Sequence, residues 1–442
     1  VTAPLLITGG HLVDPAAGID APRDLRIEGA QVAEVAEPGA LQGPGERIDA
    51  TGLTVLPGLI DTHAHLREPG FEHKETIADG CRAAAAGGIT SLLAMPNTDP
   101  VCDNAAVCEL VLRRAAEAGR ARVFPVGALT RGLAGQALPD MGELADAGCL
   151  AVADAWAPVE SSQMMRRALE YALGAGLPVI TVPQDLGLSG GGMMHEGAVS
   201  TRLGLMGIPA ASEEISVSRA IALAELTGCP IHIAPLSTAG SVRMVRDAAA
   251  RGLRVTAGTA PHYLHLTDDR VEGYDTAFKV YPPLRPRADV EALREAVADG
   301  TVAVLTSCHA PHADEEKAVE FDRAPFGMAG LATALSLTLK LVEEKVLTLS
   351  EAVARWTQGP RRAFPGLPEG LGTLAPEAPA DLVLLDPAAH WSVTPETLGG
   401  RTASNPFLGE RMPGRVRLTL LAGRPVHDAR PAGRQATRGG AA

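Results

Sequence analysis

Eight short apolar runs recur through the middle of the chain, at residues 55–60, 89–95, 123–126, 149–153, 179–182, 231–234, 253–257 and 302–306. Stretches rich in Ala, Leu, Glu and Arg separate most of them, as at 74–86, 164–173 and 215–226. Strands this apolar have no solvent-facing side, so both faces of their sheet must be covered. Strand and helix alternating eight times predict an α/β fold, a (β/α)8 TIM-like barrel over residues 56–369. Two more helical patterns follow the eighth run, at 331–344 and 349–356.

The ends read differently. Short alternating runs at 5–8, 24–27 and 31–35 are separated by turn residues, and 380–385 and 416–421 repeat the pattern near the other end. Two strand-rich ends around a barrel predict one small β-sandwich domain built from both termini, residues 1–55 plus 370–426. Residues 427–442, rich in Gly, Ala and Arg, are expected to form a disordered tail.

Charge narrows the partners. Lys and Arg number 39 against 52 Asp and Glu, a net charge of -13 that repels nucleic acid and anionic membrane. No run of about 18 apolar residues marks a membrane helix, and residues 1–10 lack the basic lead of a signal peptide. Six cysteines, at 81, 102, 108, 149, 229 and 308, contain no CxxC pair. The expectation is a reduced cytoplasmic chain, neither a disulfide scaffold nor a zinc finger.

The sharpest motif is Pro57-Gly58-Leu59-Ile60-Asp61-Thr62-His63-Ala64-His65-Leu66-Arg67-Glu68-Pro69-Gly70. Histidines at i and i+2 on a strand point the same way, here into the mouth of the barrel. Two neutral imidazoles on one face suit a divalent metal.

Together with Glu72-His73-Lys74-Glu75-Thr76 and Ala94-Met95-Pro96-Asn97-Thr98, this motif resembles the type I dihydroorotases of the amidohydrolase superfamily. The resemblance continues almost end to end, through Met194-His195-Glu196-Gly197, Pro282-Pro283-Leu284-Arg285 and His309-Ala310-Pro311-His312. It implies a zinc enzyme of pyrimidine synthesis that interconverts carbamoyl aspartate and dihydroorotate. In that family metal-bound hydroxide attacks the ring amide and an Asp after strand 8 moves the proton.

Residue by residue, the implied site is incomplete. His63 and His65 stand at the family's first two ligand positions. The bridging Asp of an Asp-Asp-Gly after strand 4 is replaced in Asp154-Ala155-Trp156 by Ala155. The strand 5 and strand 6 histidines are Val182 and Pro235, and the acid/base Asp of strand 8 is Cys308. Alanine, valine and proline offer no side-chain donor, and a lone thiolate does not replace three ligands. His232, three residues before Pro235, is expected on the opposite strand face, toward the helices. His262 and Asp154 are nearer candidates, with Asp154 expected as a solvated loop carboxylate. No lysine lies between Lys74 and Lys279, so the carboxylated-lysine bridge of hydantoinase-like relatives has no counterpart.

On the substrate side Arg67, Asn97, His312, Phe326 and Gly327 match the family, whereas Tyr281 replaces an Asn and Gly258 a Glu. Arg67 reads equally as a structural partner of Glu68 or Glu75. Two functional expectations follow. One is a non-catalytic dihydroorotase-like subunit that needs no cofactor and assembles, as an oligomer, with aspartate carbamoyltransferase. The other is a working dihydroorotase, or related cyclic amidohydrolase, with a rebuilt zinc site.

Overall fold

The computed structural model describes residues 3–431 and the backbone of 437–438. Its centre is an eight-stranded parallel sheet whose strands stand side by side in chain order: Leu59–Ala64, Ile89–Ala94, Arg122–Ala128, Ala151–Ala153, Val179–Thr181, Ile231–Ile233, Val255–Thr259 and Val304–Leu305. The ring closes through a parallel bridge between Ala64 and His309, where the His65 N–H donates to the His309 carbonyl at 2.8 Å. Ile60, Val126, Ala153, Ile180 and Val304 fill the interior, joined by Phe364 and Leu367. The barrel is thus a packed core whose functional surface is the rim at the strand ends.

The first run of the sequence belongs to two sheets. Thr54–Pro57 pairs antiparallel with Leu382–Ser392 in the terminal sheet, and the barrel begins at Leu59. Gly58 makes the handover: its N–H donates to the Asp381 carbonyl at 2.8 Å, and a Cβ there would lie 2.1 Å from Thr90 Oγ1. The break falls at Pro57-Gly58, a turn-forming pair inside the apolar run, while burial in both sheets keeps the residues on either side apolar.

Both ends of the chain join one nine-stranded sheet. Leu5–Asp14 lies between Ile19–Glu28 and Thr54–Pro57, and the C-terminal strands Leu382–Ser392, Arg411–Leu421 and Arg424–Asp428 extend the other side. The tail expected from residue 427 is corrected at its start. His427 and Asp428 pair with Thr419 and Leu418, so backbone pairing holds them in the sheet. The parts of that tail at 432–436 and 439–442 lie outside the described residues.

The helices begin where local chemistry allows. Helix Ile77–Ala86 opens on Thr76, whose side chain accepts from Asp79 N while the Asp79 carboxylate accepts from Thr76 N, satisfying two end donors reciprocally. Its Cys81, Ala84 and Ala85 are buried, small enough to bring the helix close to the sheet. No helix among the described residues is long and apolar enough to cross a membrane.

Candidate active site at the barrel mouth

Asp61 anchors the end of the first strand. Its buried carboxylate accepts from the Thr306 hydroxyl and from the Ser307 hydroxyl and N–H, tying strand 1 to strand 8. His63 and His65 follow, both buried, with ring centroids 5.2 Å apart. The His65 Nδ1 meets Asn97 Oδ1 at 2.6 Å, which puts the proton on Nδ1 and leaves Nε2 a bare lone pair. That Nε2 and the His63 Nδ1 are buried with no protein partner. Burial lowers His63 to about 4, against a smaller opposing pull from Asp61. His65 is driven well below the ordinary value by burial, then by His63 and Arg67. Both imidazoles are neutral at neutral pH, the form that ligates metal.

The other expected ligand positions meet the same mouth without donors. Ala155, Val182 and Pro235 are fully or almost fully buried at the ends of strands 4, 5 and 6. Cys308, also buried, has its thiol pushed well above its ordinary value by burial and the Asp61 charge, so it stays protonated. Ala155 and Cys308 both have φ of 47°, a left-handed conformation. Asp and Asn tolerate that region better than other side chains. Each backbone therefore keeps a shape that suits an aspartate while carrying a different side chain. Among the described residues the one cluster of three or more metal-capable groups is Cys102, Cys108 and Cys149, outside the barrel. A zinc site of the family kind does not fit this mouth: two imidazoles remain of a set that needs three or four ligands.

The expected compensators fall elsewhere. His232 is corrected: it points inward. It is in register with Ile180, its ring lies 5.2 Å from Phe364, and its Nδ1 meets Thr256 Oγ1 at 2.9 Å. Alternation between 232 and 235 fails because the strand ends at Ile233. A Cβ at Gly258 would come within 3.0 Å of His232 Nε2, so the absent Glu and the inward imidazole occupy one space. Asp154 is likewise corrected from a solvated to a buried carboxylate, accepting from Thr181 Oγ1 and Val182 N, each at 3.0 Å. Burial raises it to about 7, against those two hydrogen bonds. His262 is buried beside Tyr263, ring centroids 4.0 Å apart, with its Nε2 unpartnered.

The substrate-side residues do converge. Arg67 is 5% exposed, and its Nε donates to the Pro311 carbonyl at 3.0 Å. Neither Glu68 nor Glu75 pairs with it: Glu68 meets Arg114 at 3.1 Å, and Glu75 meets His309 at 2.6 Å. Burial lowers Arg67 to about 10, so it remains a cation without an ion-pair partner among the described residues. His312 Nε2 donates to the Phe326 carbonyl at 2.8 Å, with Arg67 3.2 Å away. Gly327 has φ 133°, and a Cβ there would collide with the Ala310 carbonyl at 2.3 Å. Tyr281 packs edge-on to Phe326 at 5.4 Å.

Trp156 went unremarked in the sequence. Its ring lies 4.5 Å from that of His65, and the Arg67 guanidinium sits 5.6 Å above it. The available signal was its place as the third residue of a motif that ends in glycine elsewhere. The Trp156 indole thus contacts both the His65 imidazole and the Arg67 guanidinium.

A family model described as Dihydro-orotase-like matches residues 52–241. The chain is 52% identical over 426 residues to a protein named Dihydroorotase from Anaeromyxobacter sp. strain K, covering 96% of this chain and 98% of that one. It is 49% identical to another of that name from Syntrophotalea carbinolica, covering 95% and 98%. Among solved structures, the L-hydantoinase (dihydropyrimidinase) of Arthrobacter aurescens superposes with a TM-score of 0.87 at 22% identity, covering 97% of each chain. That last likeness concerns the fold alone.

Proposed function

The chain belongs to the dihydroorotase family, and on that premise we propose that it serves pyrimidine synthesis as a non-catalytic member, a structural subunit that assembles with aspartate carbamoyltransferase. One observation carries the reading. The ends of strands 4, 5, 6 and 8 present Ala155, Val182, Pro235 and a protonated Cys308 where the family's chemistry requires three ligands and a proton carrier. The groups that activate water and carry its proton in the family are absent from these positions. The barrel around the gap is intact, so its use lies in what its outer surface touches. The partner rests on the resemblance of inactive dihydroorotase-like chains to such subunits.

Three measurements on the full chain test this. Elemental analysis after dialysis is expected to find no stoichiometric zinc. Ring opening of dihydroorotate is expected at background. Mixing with the same organism's aspartate carbamoyltransferase is expected to give one larger species in size-exclusion chromatography with light scattering. Separate elution at micromolar concentration removes the subunit role.

A second reading, a working dihydroorotase with a rebuilt zinc site, is favoured by the names of the relatives and by Arg67. A buried guanidinium beside His312, with no ion-pair partner among the described residues, remains suited to a substrate carboxylate. Chelator-sensitive turnover by the unmodified chain establishes that reading in place of the first.

A further inference from the structure

The six cysteines form no CxxC pair in the sequence, but the fold gathers three of them. Cys102 lies in the loop that carries Asn97, Cys108 in the first turn of helix Ala105–Ala118, and Cys149 just before strand 4. The Cys108 sulfur is 3.3 Å from that of Cys102 and 3.2 Å from that of Cys149, and all three sulfurs lie within 4.8 Å of one another. Each residue is held by its backbone: Cys102 N to the Pro96 carbonyl at 3.0 Å, Cys108 N to the Asn104 carbonyl at 3.3 Å, and Cys149 N to the Leu144 carbonyl at 3.0 Å. All three are buried, at 3%, 0% and 4% exposure.

We propose that Cys102, Cys108 and Cys149 form a trigonal thiolate site for one thiophilic d10 ion, copper(I), on the outer wall of the barrel. Thiolates select soft metals, copper(I) and zinc foremost. Zinc takes four ligands in closed sites, and among the described residues no fourth His, Cys, Asp or Glu joins this group. Copper(I) is satisfied by three. Metal–sulfur bonds of about 2.3 Å in a plane set the sulfurs about 4.0 Å apart, so two contacts open slightly and the third stays within its present range. The Cys108 sulfur lies within hydrogen-bonding distance of both neighbouring thiols, so a thiolate there accepts from both. The N-terminal end of helix Ala105–Ala118 adds a favourable dipole beside it. Binding releases the thiol protons and involves no change of oxidation state.

The test is anaerobic titration of the whole protein with copper(I) delivered from a chelator complex, followed by desalting and elemental analysis. One copper per chain is expected, with X-ray absorption showing three sulfur neighbours. Cys108→Ser is expected to weaken retention by more than the roughly 10–100-fold that loss of a supporting group outside the ligand set costs. The triple Cys102→Ala/Cys108→Ala/Cys149→Ala variant is expected to retain none. His63→Ala/His65→Ala is expected to retain copper in full, which separates this site from the barrel mouth. If the triple variant does not fold, each single Cys→Ser substitution gives the same readout. Three outcomes overturn the proposal: copper retained by the triple variant, zinc held as tightly as copper, or a thiol count showing a disulfide among the three in protein kept anaerobic.

Discussion

The end of the first barrel strand and the ends of the fourth, fifth, sixth and eighth face one mouth, yet they carry different kinds of side chain. On the first side stand His63, His65 and Arg67, with Asn97 and His312 beside them, all donor-bearing and mostly buried. On the other side stand Ala155, Val182 and Pro235, with no donor atom, and the protonated thiol of Cys308. The backbone does not share this asymmetry. Ala155 and Cys308 keep the left-handed φ that suits an aspartate, and strand 8 is still tied to strand 1 through Asp61.

The contrast teaches what holds this rim in place. The hydrogen bonds that shape it run behind the ligand positions: Asp61 to Thr306 and Ser307, Asp154 to Thr181 and Val182, and Glu213 to the N–H groups of Ser237 and Thr238 at 3.0 Å each. None of them needs a metal. Donor atoms can therefore be lost without loss of the scaffold, and the same scaffold ought to accept them back.

Restoring the missing side tests this most severely. The combined variant Ala155→Asp/Val182→His/Pro235→His/Cys308→Asp is expected to hold zinc after dialysis, and the parent is expected to hold none. Full ligand sets in structural zinc peptides contribute an apparent ~10–16 kcal/mol. Each single reversion is expected to bind no zinc, because ligands of one site act together. Zinc in the parent, or in any single variant, breaks the comparison.

The supporting bonds come next in size. Asp61→Ala strands the hydroxyls of Thr306 and Ser307 and the Ser307 N–H inside the protein. Each unsatisfied buried group costs about 1–3 kcal/mol, so a loss of about 3–9 kcal/mol is expected in urea unfolding. A loss under about 1 kcal/mol shows that the rim is held by something else.

Much of this was legible beforehand, and the misses share a cause. Alternating apolar runs located the barrel because burial on both faces leaves a continuous signature. The altered ligand positions were legible because each sits inside a motif of fixed spacing. His232 was misread because period 2 holds only while the strand lasts, and this one stops at Ile233. Asp154 looked solvated because a single carboxylate does not reveal its hydrogen-bond donors, Thr181 and Val182, which lie a whole helix further along the chain. Cys102, Cys108 and Cys149 looked scattered for the same reason: helix packing brings them together, and spacing does not record it.

Asp154 also gives the donor-poor side a pH signature. Its folded pKa, about 7, lies above the unfolded value of about 3.9. Between those values the folded state binds a proton that the unfolded state has released. Its contribution to stability therefore falls as pH rises from about 4 to about 7 and is level outside that window. Roughly three pKa units correspond to about 4 kcal/mol at most. The buried histidines slope the other way: with folded pKa values lowered, His63 to about 4 and His232 to about 3, they lose stability as pH falls below about 6.5. Asp154→Asn isolates the carboxylate. The stability of the variant relative to the parent is expected to rise across pH 4 to 7; a constant difference shows that Asp154 is ionised throughout.

The finest distinction concerns Ala155 itself. An alanine in the left-handed region carries about 1–2 kcal/mol of conformational strain, which glycine does not. Ala155→Gly also removes a buried methyl, worth about 0.8 kcal/mol, and adds backbone freedom to the unfolded chain, worth about 0.5–1 kcal/mol. The two sides nearly cancel, so the change is expected within about 0.5 kcal/mol of zero. Ala153, two residues earlier in strand 4, is also fully buried but stands in extended backbone. There Gly has no strain to relieve, and the same substitution is expected to cost about 1.5 kcal/mol. Paired urea unfolding of the two variants measures the difference directly. Equal costs at both positions mean that the left-handed turn after strand 4 is unstrained, and that the rim has lost its aspartate-suited shape along with the aspartate.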